Sequence, residues 1–282
     1  MRCGKKMKTF RLLWRDVRQG IVTKWYIFLI PALFSFVQTR EFHAYLGKLV
    51  SQNVLYAQGT FADYLAYVMK GMAVFCFSPN DSFEIPIYWL AFYIGLAYMT
   101  AYYAYDDFLM NGRNMFIALR SRGKWWMSKS IYCCIAVIFY YAVCVGVIAV
   151  MAVYYNADMG WNVSASVMTY MYSSSAFSLD GKDVLLLTII LPMVITLAVS
   201  EVQMLLGFIL TPVISFACVC AMYVFSAYYT VWYLVGNYTM WLRSAYIADE
   251  GVYPLSGFVF AAGMLAVACA CGFMYFQNKD VV

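Results

Sequence analysis

Few side chains of this sequence could take part in catalysis or metal binding, and they are scattered along it. His43 is the only histidine, and nine cysteines are spread over 282 residues. No two cysteines form a Cys-x-x-Cys pair, and most lie inside apolar runs, where a thiol acts as a small hydrophobic group. A membrane-embedded enzyme would need His, Asp, Glu or Cys clustered at helical spacing. The sequence therefore predicts no catalytic, cofactor-binding or metal-ligating residue.

Three carboxylates are the remaining candidates for chemistry. Asp106 and Asp107 lie at the end of an apolar segment, where they could pair with Arg113 or Lys124 or be solvated. Glu201 lies inside a much longer apolar stretch, and an ionisable residue at membrane depth is a functional candidate. We expect Glu201 at a turn between two membrane spans, which would bring its charge to the surface.

The composition is that of an integral membrane protein. Hydrophobic residues make up 65% of the chain and charged residues only 12%, whereas soluble domains are about half apolar and about a quarter charged. No linker, repeat or low-complexity segment divides the chain. We therefore expect one all-α polytopic domain covering residues 1–282, with the lipid bilayer as its surroundings and no nucleic acid as a partner.

The apolar segments predict six transmembrane helices, since about 20 apolar residues cross a bilayer core of about 30 Å. A single apolar stretch at residues 184–229 is long enough for two spans, and we divide it at the polar cluster around Glu201. The predicted spans are 21–37, 85–105, 131–155, 184–204, 207–229 and 255–276. Counting that stretch as one span would move the C-terminus to the other side of the membrane.

Charge distribution orients this layout by the positive-inside rule. With the N-terminus in the cytoplasm, 14 of the 19 lysines and arginines lie on the inner side and five on the outer side. The sequence thus predicts a multi-pass protein of the inner (plasma) membrane with both termini in the cytoplasm. The basic start lacks a small-residue cleavage site after its apolar run, so we expect the first span to be retained.

The first 20 residues predict a helix that lies on the membrane surface. Apolar residues including Leu13, Trp14 and Val17 recur at helical spacing, and Arg11 and Arg15 occupy other faces. A basic amphipathic helix of this kind can bind an anionic inner leaflet, with Trp14 as an interface anchor. An ordinary positive-inside flank would have the same composition, and both interpretations stay open.

The loop between the second and third predicted spans has a second amphipathic pattern. Residues 114–122 predict a short helix, which Gly123 would end. Trp125 and Trp126 would then anchor the chain at the interface. A short cytoplasmic helix with one apolar face can dock in the groove of a partner protein, although a positively charged loop with a tryptophan anchor is the simpler interpretation.

Three stretches of the sequence resemble the membrane subunits of ATP-binding-cassette (ABC) exporters of the type-2 permease class. They are residues 83–89 at the start of span two, 120–129 in the inner loop, and 236–244 before the last span. The resemblance extends to topology, because these permeases have six spans, cytoplasmic termini, an N-terminal interface helix and a helical outer hairpin before the last span.

The resemblance implies that the inner loop is a coupling helix that contacts a separate ATPase subunit. The residues concerned are Arg113, Asn114, Met115, Phe116, Leu119, Arg120 and Arg122. The chain has no G-x-x-x-x-G-K-[ST] phosphate-binding motif, so ATP and magnesium would bind to the partner ATPase. A second permease subunit, identical or related, would complete the pathway.

Family resemblance and composition together favour export of a peptide or another amphipathic substrate, or resistance to one. The alternative is a secondary transporter, or a substrate-binding membrane subunit, that works without direct ATPase contact. Such transporters usually have charged residues near the membrane midplane, and the predicted layout places almost none there.

Overall fold

The computed structural model describes residues 12–52, 59–75, 83–119, 122–172 and 180–278. Within these residues the chain is helical and contains no β-strand, only two isolated bridges that join Thr60 to Asp158 and Ser244 to Val252. The all-α fold class is therefore confirmed for the described part of the chain. The first half of the predicted N-terminal interface helix lies outside the described residues.

Ten α-helical segments follow one another along the described ranges, joined in places by π or 3-10 turns. The first half comprises α1 (Leu12–Val22), α2 (Leu29–Ser51), α3 (Phe61–Val68), α4 (Ile87–Leu119) and α5 (Arg122–Tyr154). The second half comprises α6 (Ala165–Tyr172), α7 (Gly181–Leu185), α8 (Leu191–Ile209), α9 (Pro212–Tyr228) and α10 (Pro254–Asn278).

In the part of the chain that the structure describes, three helical segments are long and apolar enough to cross a membrane, namely Gly123–Tyr154, Gly181–Ile209 and Pro254–Gln277. A fourth is obtained if Leu12–Val22 and Trp25–Ser51, which are bent by 59°, count as one broken span. These apolar helices are compatible with a multi-pass membrane protein. The helix α3 has only eight residues, about 12 Å at 1.5 Å per residue, and is too short to be a further span.

The long apolar stretch breaks at Leu210 and Thr211, not at the polar cluster around Glu201 as expected. Thr211 is extended, and its hydroxyl accepts a hydrogen bond from the Ile214 amide. Pro212 follows as the first residue of α9 and has no amide hydrogen for a continuing helix. The threonine–proline pair therefore ends α8, and the polar residues before it remain helical.

The helix α8 lies at the centre of the fold. It packs against α4, α5, α9 and α10, and its buried face contains Ser200, Glu201 and Gln203 as well as apolar side chains. By contrast α10 leaves Leu255, Val259 and Val267 exposed along its length. Polar residues of the most apolar stretch thus face protein neighbours, which can supply their hydrogen-bond partners.

The segment before the last helix differs from the helical outer hairpin that the resemblance implied. It contains only two 3-10 turns, Val235–Thr239 and Trp241–Arg243, and the isolated bridge between Ser244 and Val252. Both turns are almost entirely buried. Side chains supply hydrogen bonds to the segment's own backbone: Asn237 donates to the carbonyls of Tyr229 and Val231, and the Tyr238 hydroxyl donates to that of Trp232.

Candidate functional site

Four charged side chains meet where α1, α4 and α5 come together and form what we call the charge network. It consists of Arg15 and Asp16 from α1, Asp107 from α4 and Lys129 from α5. The ammonium nitrogen of Lys129 lies 2.9 Å from Oδ1 of Asp16 and 2.5 Å from Oδ2 of Asp107. Arg15 Nη2 lies 3.0 Å and 3.2 Å from the same two oxygens. The formal charges balance, as buried charges require.

Hydroxyl groups complete the surroundings of Asp16, which is fully buried. Ser128 donates a hydrogen bond to Oδ2 of Asp16 over 3.0 Å. Tyr103 donates to the Asp16 backbone carbonyl over 3.1 Å, and its ring lies 4.8 Å from the Lys129 ammonium. The carboxylate of Asp16 therefore has partners from both α4 and α5, which fix α1 against these two helices.

A second polar contact starts at the next residue of α5. Ser130 donates a hydrogen bond to Oε2 of Glu201 on α8 over 3.1 Å, and Glu201 is only 2% exposed. Two residues on, Gln203 donates to the Ala97 carbonyl of α4 over 3.0 Å. Successive residues of α5 thus contact the charge network on one side and Glu201 on the other.

The prediction for Asp107 is corrected by this arrangement. The sequence suggested pairing with Arg113 or Lys124, or solvation, but Asp107 is buried and pairs with Lys129 and Arg15. Glu201 is likewise within a helix and not at a turn. Sequence reasoning missed Asp16 and Lys129. Asp16 is the only acidic residue among the first 40, and this is the signal that could have indicated a specific cationic partner.

The predicted coupling helix is not a separate element. Residues 113–119 form the last turns of α4, and Gly123 lies in the first turn of α5 instead of ending a helix. Arg120 lies outside the described residues, and for 113–119 and Arg122 only the backbone is described. The helices α4 and α5 contact each other and form a hairpin, with α4 ending at Leu119 and α5 beginning at Arg122.

Gly123 is a site of close helix packing. A Cβ atom added there would meet the ring of Phe273 on α10, and one added at Gly272 would meet the ring of Trp126. The glycine therefore reflects the approach of α5 to α10. This explains why the interpretation of Gly123 as a helix stop was wrong, since a glycine has the same sequence signal in both roles.

Trp125 and Trp126 are also placed differently from the expected interface anchors. Both indoles are fully buried. The centroids of their rings lie 5.0 Å and 5.4 Å from that of Phe276 on α10, and Phe208 of α8 packs against the same group. These rings join the first turn of α5 to the last turns of α8 and α10, whereas Trp14 is 64% exposed and remains available to an interface.

A buried guanidinium organises the segment between α9 and α10, residues 229–253. We call it the outer segment, because the predicted topology puts it on the outer side. The fully buried Arg243 donates to the Ala227 carbonyl and to Oδ1 of Asn237, each over 2.7 Å, and also to the Ser226 carbonyl. Ser226 and Ala227 lie in the last turn of α9, where free carbonyls carry partial negative charge. Burial lowers the pKa of Arg243 to about 10, so the side chain stays charged at neutral pH.

Asp63 has a comparable role at the start of α3. Its carboxylate accepts hydrogen bonds from the Thr60 amide over 2.7 Å and from the Ser164 amide over 2.8 Å, while Thr60 caps the helix in return. Burial raises the pKa of Asp63, and the backbone hydrogen bonds oppose that increase. We interpret this site as structural, because its polar atoms are occupied by the chain itself.

The described residues contain no group of His, Cys, Asp and Glu side chains able to hold a metal ion. Comparison with protein-family models, curated proteins and solved structures finds no match. The charge network and the neighbouring Ser130–Glu201 hydrogen bond are therefore the strongest candidate site, and any function must be argued from them and from the sequence.

Proposed function

We propose that this chain is the permease subunit of an ABC exporter in the inner (plasma) membrane, driven by a separate ATPase subunit. The observation that carries the proposal is the charge network at the base of the α4–α5 hairpin. The tip of this hairpin contains the residues that resemble a coupling helix. A movement of the tip would act directly on the paired charges Asp107 and Lys129, and through them on α1.

A six-span topology with cytoplasmic termini is part of the proposal. Four spans correspond to the apolar helices and to the broken pair formed by α1 and α2. The fifth would be α9, whose 17 residues measure about 26 Å. The sixth would be the first two-thirds of α4, where many tyrosines lower the hydropathy but supply aromatic surface.

The hairpin offers a suitable surface for a partner protein. Leu109 and Met110 are 65% and 79% exposed just before the tip, and arginines 113, 120 and 122 follow in the sequence. Exposed apolar side chains beside positive charges suit a groove with an acidic rim. In the proposed mechanism, ATPase closure pushes the hairpin, and the charge network transmits the movement to α1 while Ser130 transmits it to α8.

A substrate of amphipathic character, such as a peptide, fits the aromatic and sparsely charged helices. This part of the proposal rests on composition and resemblance. It predicts that cells producing the chain with its ATPase tolerate more of a membrane-active peptide than cells producing an ATPase that cannot hydrolyse ATP. If both kinds of cell tolerated several such peptides equally, the peptide would be refuted as the substrate, and the proposal of ATPase coupling would stand.

One observation favours the secondary transporter as a second candidate. Glu201 is a carboxyl group buried within a central helix, a position where proton-coupled transporters have titratable groups. Under this alternative, transport would persist without ATP, would stop when the proton gradient is collapsed, and would be lost in a Glu201→Gln variant. The ABC proposal predicts instead that transport stops without ATP and persists when the proton gradient is collapsed.

Co-purification from native membranes tests the leading proposal. We expect the wild-type chain to retain an ATPase subunit, and Phe116→Glu and Arg120→Glu to lose it while still folding. The matched control is Lys182→Glu, a charge reversal at an exposed residue that we assign to the outer side. Purification without any ATPase, together with unchanged transport by both hairpin variants, would refute the coupling role.

A further inference from the structure

An open groove lies between the outer ends of α2 and α5. Its volume is about 700 Å³ and its lining includes charge, whereas a groove of about 990 Å³ beside α10 is almost wholly apolar. Phe36, Arg40 and His43 line it from α2, and Val150, Met151 and Tyr154 line it from α5. The two helices run in the same direction in the proposed topology. The change from apolar to polar side chains therefore lies at the same depth on both walls.

The groove is apolar at its deeper end and cationic at its outer end. Phe36 and Val150 are 41% and 69% exposed. They lie four residues before Arg40 on α2 and four residues before Tyr154 on α5. Four residues of helix correspond to about 6 Å. The groove thus passes within about one helical turn from Phe36 to Arg40, and His43 follows about one turn further out, as a phospholipid passes from acyl chain to phosphate.

Arg40 has no ion pair among the described residues, whose salt bridges all belong to the charge network. The adjacent Glu41 acts elsewhere, since burial and the Glu41 charge together raise the pKa of Tyr67, and this charge opposes the lowering of the pKa of Lys70 by burial. An arginine at a bilayer surface without a carboxylate partner attracts phosphate oxygens, which it can bind through two parallel donors.

His43 is held in place beside Arg40 by two contacts. Its ring stacks on Tyr155 with 3.7 Å between centroids, and its Nδ1 lies 3.0 Å from the Tyr64 hydroxyl. When that hydroxyl donates to Nδ1, the hydrogen of the neutral ring is on Nε2, which becomes a donor. Arg40 and His43 would then offer converging donors to one anionic group.

We propose that this groove binds a phospholipid with a net negative headgroup from the outer leaflet. The phosphate would lie between Arg40 and His43, and one acyl chain would follow Phe36 and Val150. The proposal depends on the membrane topology, since it needs these helix ends at the outer surface. It is independent of ATPase coupling and goes beyond it.

Native mass spectrometry of the purified chain tests this site. The probes are phosphatidylglycerol, phosphatidylcholine with the same acyl chains, and soluble glycerol phosphate. We expect phosphatidylglycerol adducts to exceed phosphatidylcholine adducts, and Arg40→Gln to reduce them about fivefold, the effect of one surface arginine on an anionic lipid. The control Lys48→Gln, on the same helix two turns away, should retain them.

A second variant tests occupation of the groove without removing charge. Ala44→Trp would fill the groove at an exposed position and should reduce phosphatidylglycerol binding as much as Arg40→Gln does. Equal binding of both lipids, equal loss in Lys48→Gln, or unchanged binding in Ala44→Trp would overturn the proposal. Binding of glycerol phosphate as strong as that of the lipid would also overturn it, by indicating a phosphate site.

Discussion

Lys129 is the residue on which the charge network depends. Its ammonium is fully buried and within 3 Å of two carboxylates, so its removal would leave the two negative charges of Asp16 and Asp107 facing the single positive charge of Arg15 within the network. Breaking a buried ion pair on one side is far more costly than replacing both partners, because an uncompensated charge stays in the interior. The network should therefore respond very differently to single and paired substitutions.

We expect Lys129→Met to lower the free energy of unfolding by about 3–5 kcal/mol. Adding Asp107→Asn to that variant should restore a large part of the loss, because the remaining charges balance again. Thermal unfolding in detergent, followed by intrinsic fluorescence, measures both effects. Lys124→Met is the control, since Lys124 has no ion pair among the described residues. Equal stability of wild type and Lys129→Met would show that the network is not formed.

Arg243 leads to a second prediction at the residue scale. Arg243→Met removes the buried charge but leaves the carbonyls of Ser226 and Ala227 without their donor, at a cost of about 1–3 kcal/mol for each unsatisfied group. Arg243→Lys should not restore stability, because an ammonium lacks the planar fork that reaches several acceptors. Limited proteolysis of the outer segment measures the effect, and the exposed Lys182→Met should cleave like wild type.

At the scale of helices, the sequence predicted where the helices lie along the chain better than it predicted where they end and which residues surround them. Apolar length identified α5, α8, α9 and α10 because a bilayer core requires a minimum length of apolar helix. The break at Leu210–Thr211 was missed because polarity was given more weight than Pro212. Pro212 removes an amide donor and disfavours a helical residue before it, whereas Glu201 can remain helical once Ser130 supplies a partner.

Residue type alone also could not reveal the neighbours of Trp125 and Gly123. A tryptophan near a positive flank fits a membrane interface, and a glycine after a short amphipathic run fits a helix end. Both residues are instead buried or packed against α10, a helix far from them in the sequence. Contacts between such distant segments are not encoded in local spacing.

The close approach of α5 to α10 leads to a prediction at the scale of helices. Gly123→Leu would place a side chain against the Phe273 ring and should destabilise the protein by about 1–3 kcal/mol through overpacking. The matched control is Gly146→Leu on the same helix, where an added Cβ meets no atom within 4 Å. Thermal unfolding compares the two variants.

Rescue distinguishes packing from helix propensity in this experiment. Phe273→Ala in the Gly123→Leu background makes room for the new side chain and should recover part of the lost stability. A destabilisation of equal size in Gly146→Leu would contradict the packing explanation, because both substitutions change helix propensity alike.

At the scale of the whole molecule, two independent features support the proposed topology. Basic residues are concentrated on the predicted inner side, and the charge network brings α1, α4 and α5 together, as a shared membrane face would require. Both features place the N-terminus and the α4–α5 hairpin together. The position of the C-terminus depends in addition on the break between α8 and α9.

Truncated alkaline phosphatase fusions test that last point, because the enzyme is active only outside the cytoplasm. We expect a fusion after Leu210 to be inactive, a fusion after Val231 to be active, and a fusion after Asn278 to be inactive again. The middle fusion is decisive, since α9 measures about 26 Å, close to the thickness of about 30 Å that it must cross. An inactive fusion after Val231 with an active one after Asn278 would show that α9 does not span the bilayer. The C-terminus would then be outside, and a coupling mechanism requiring six spans would fail with it.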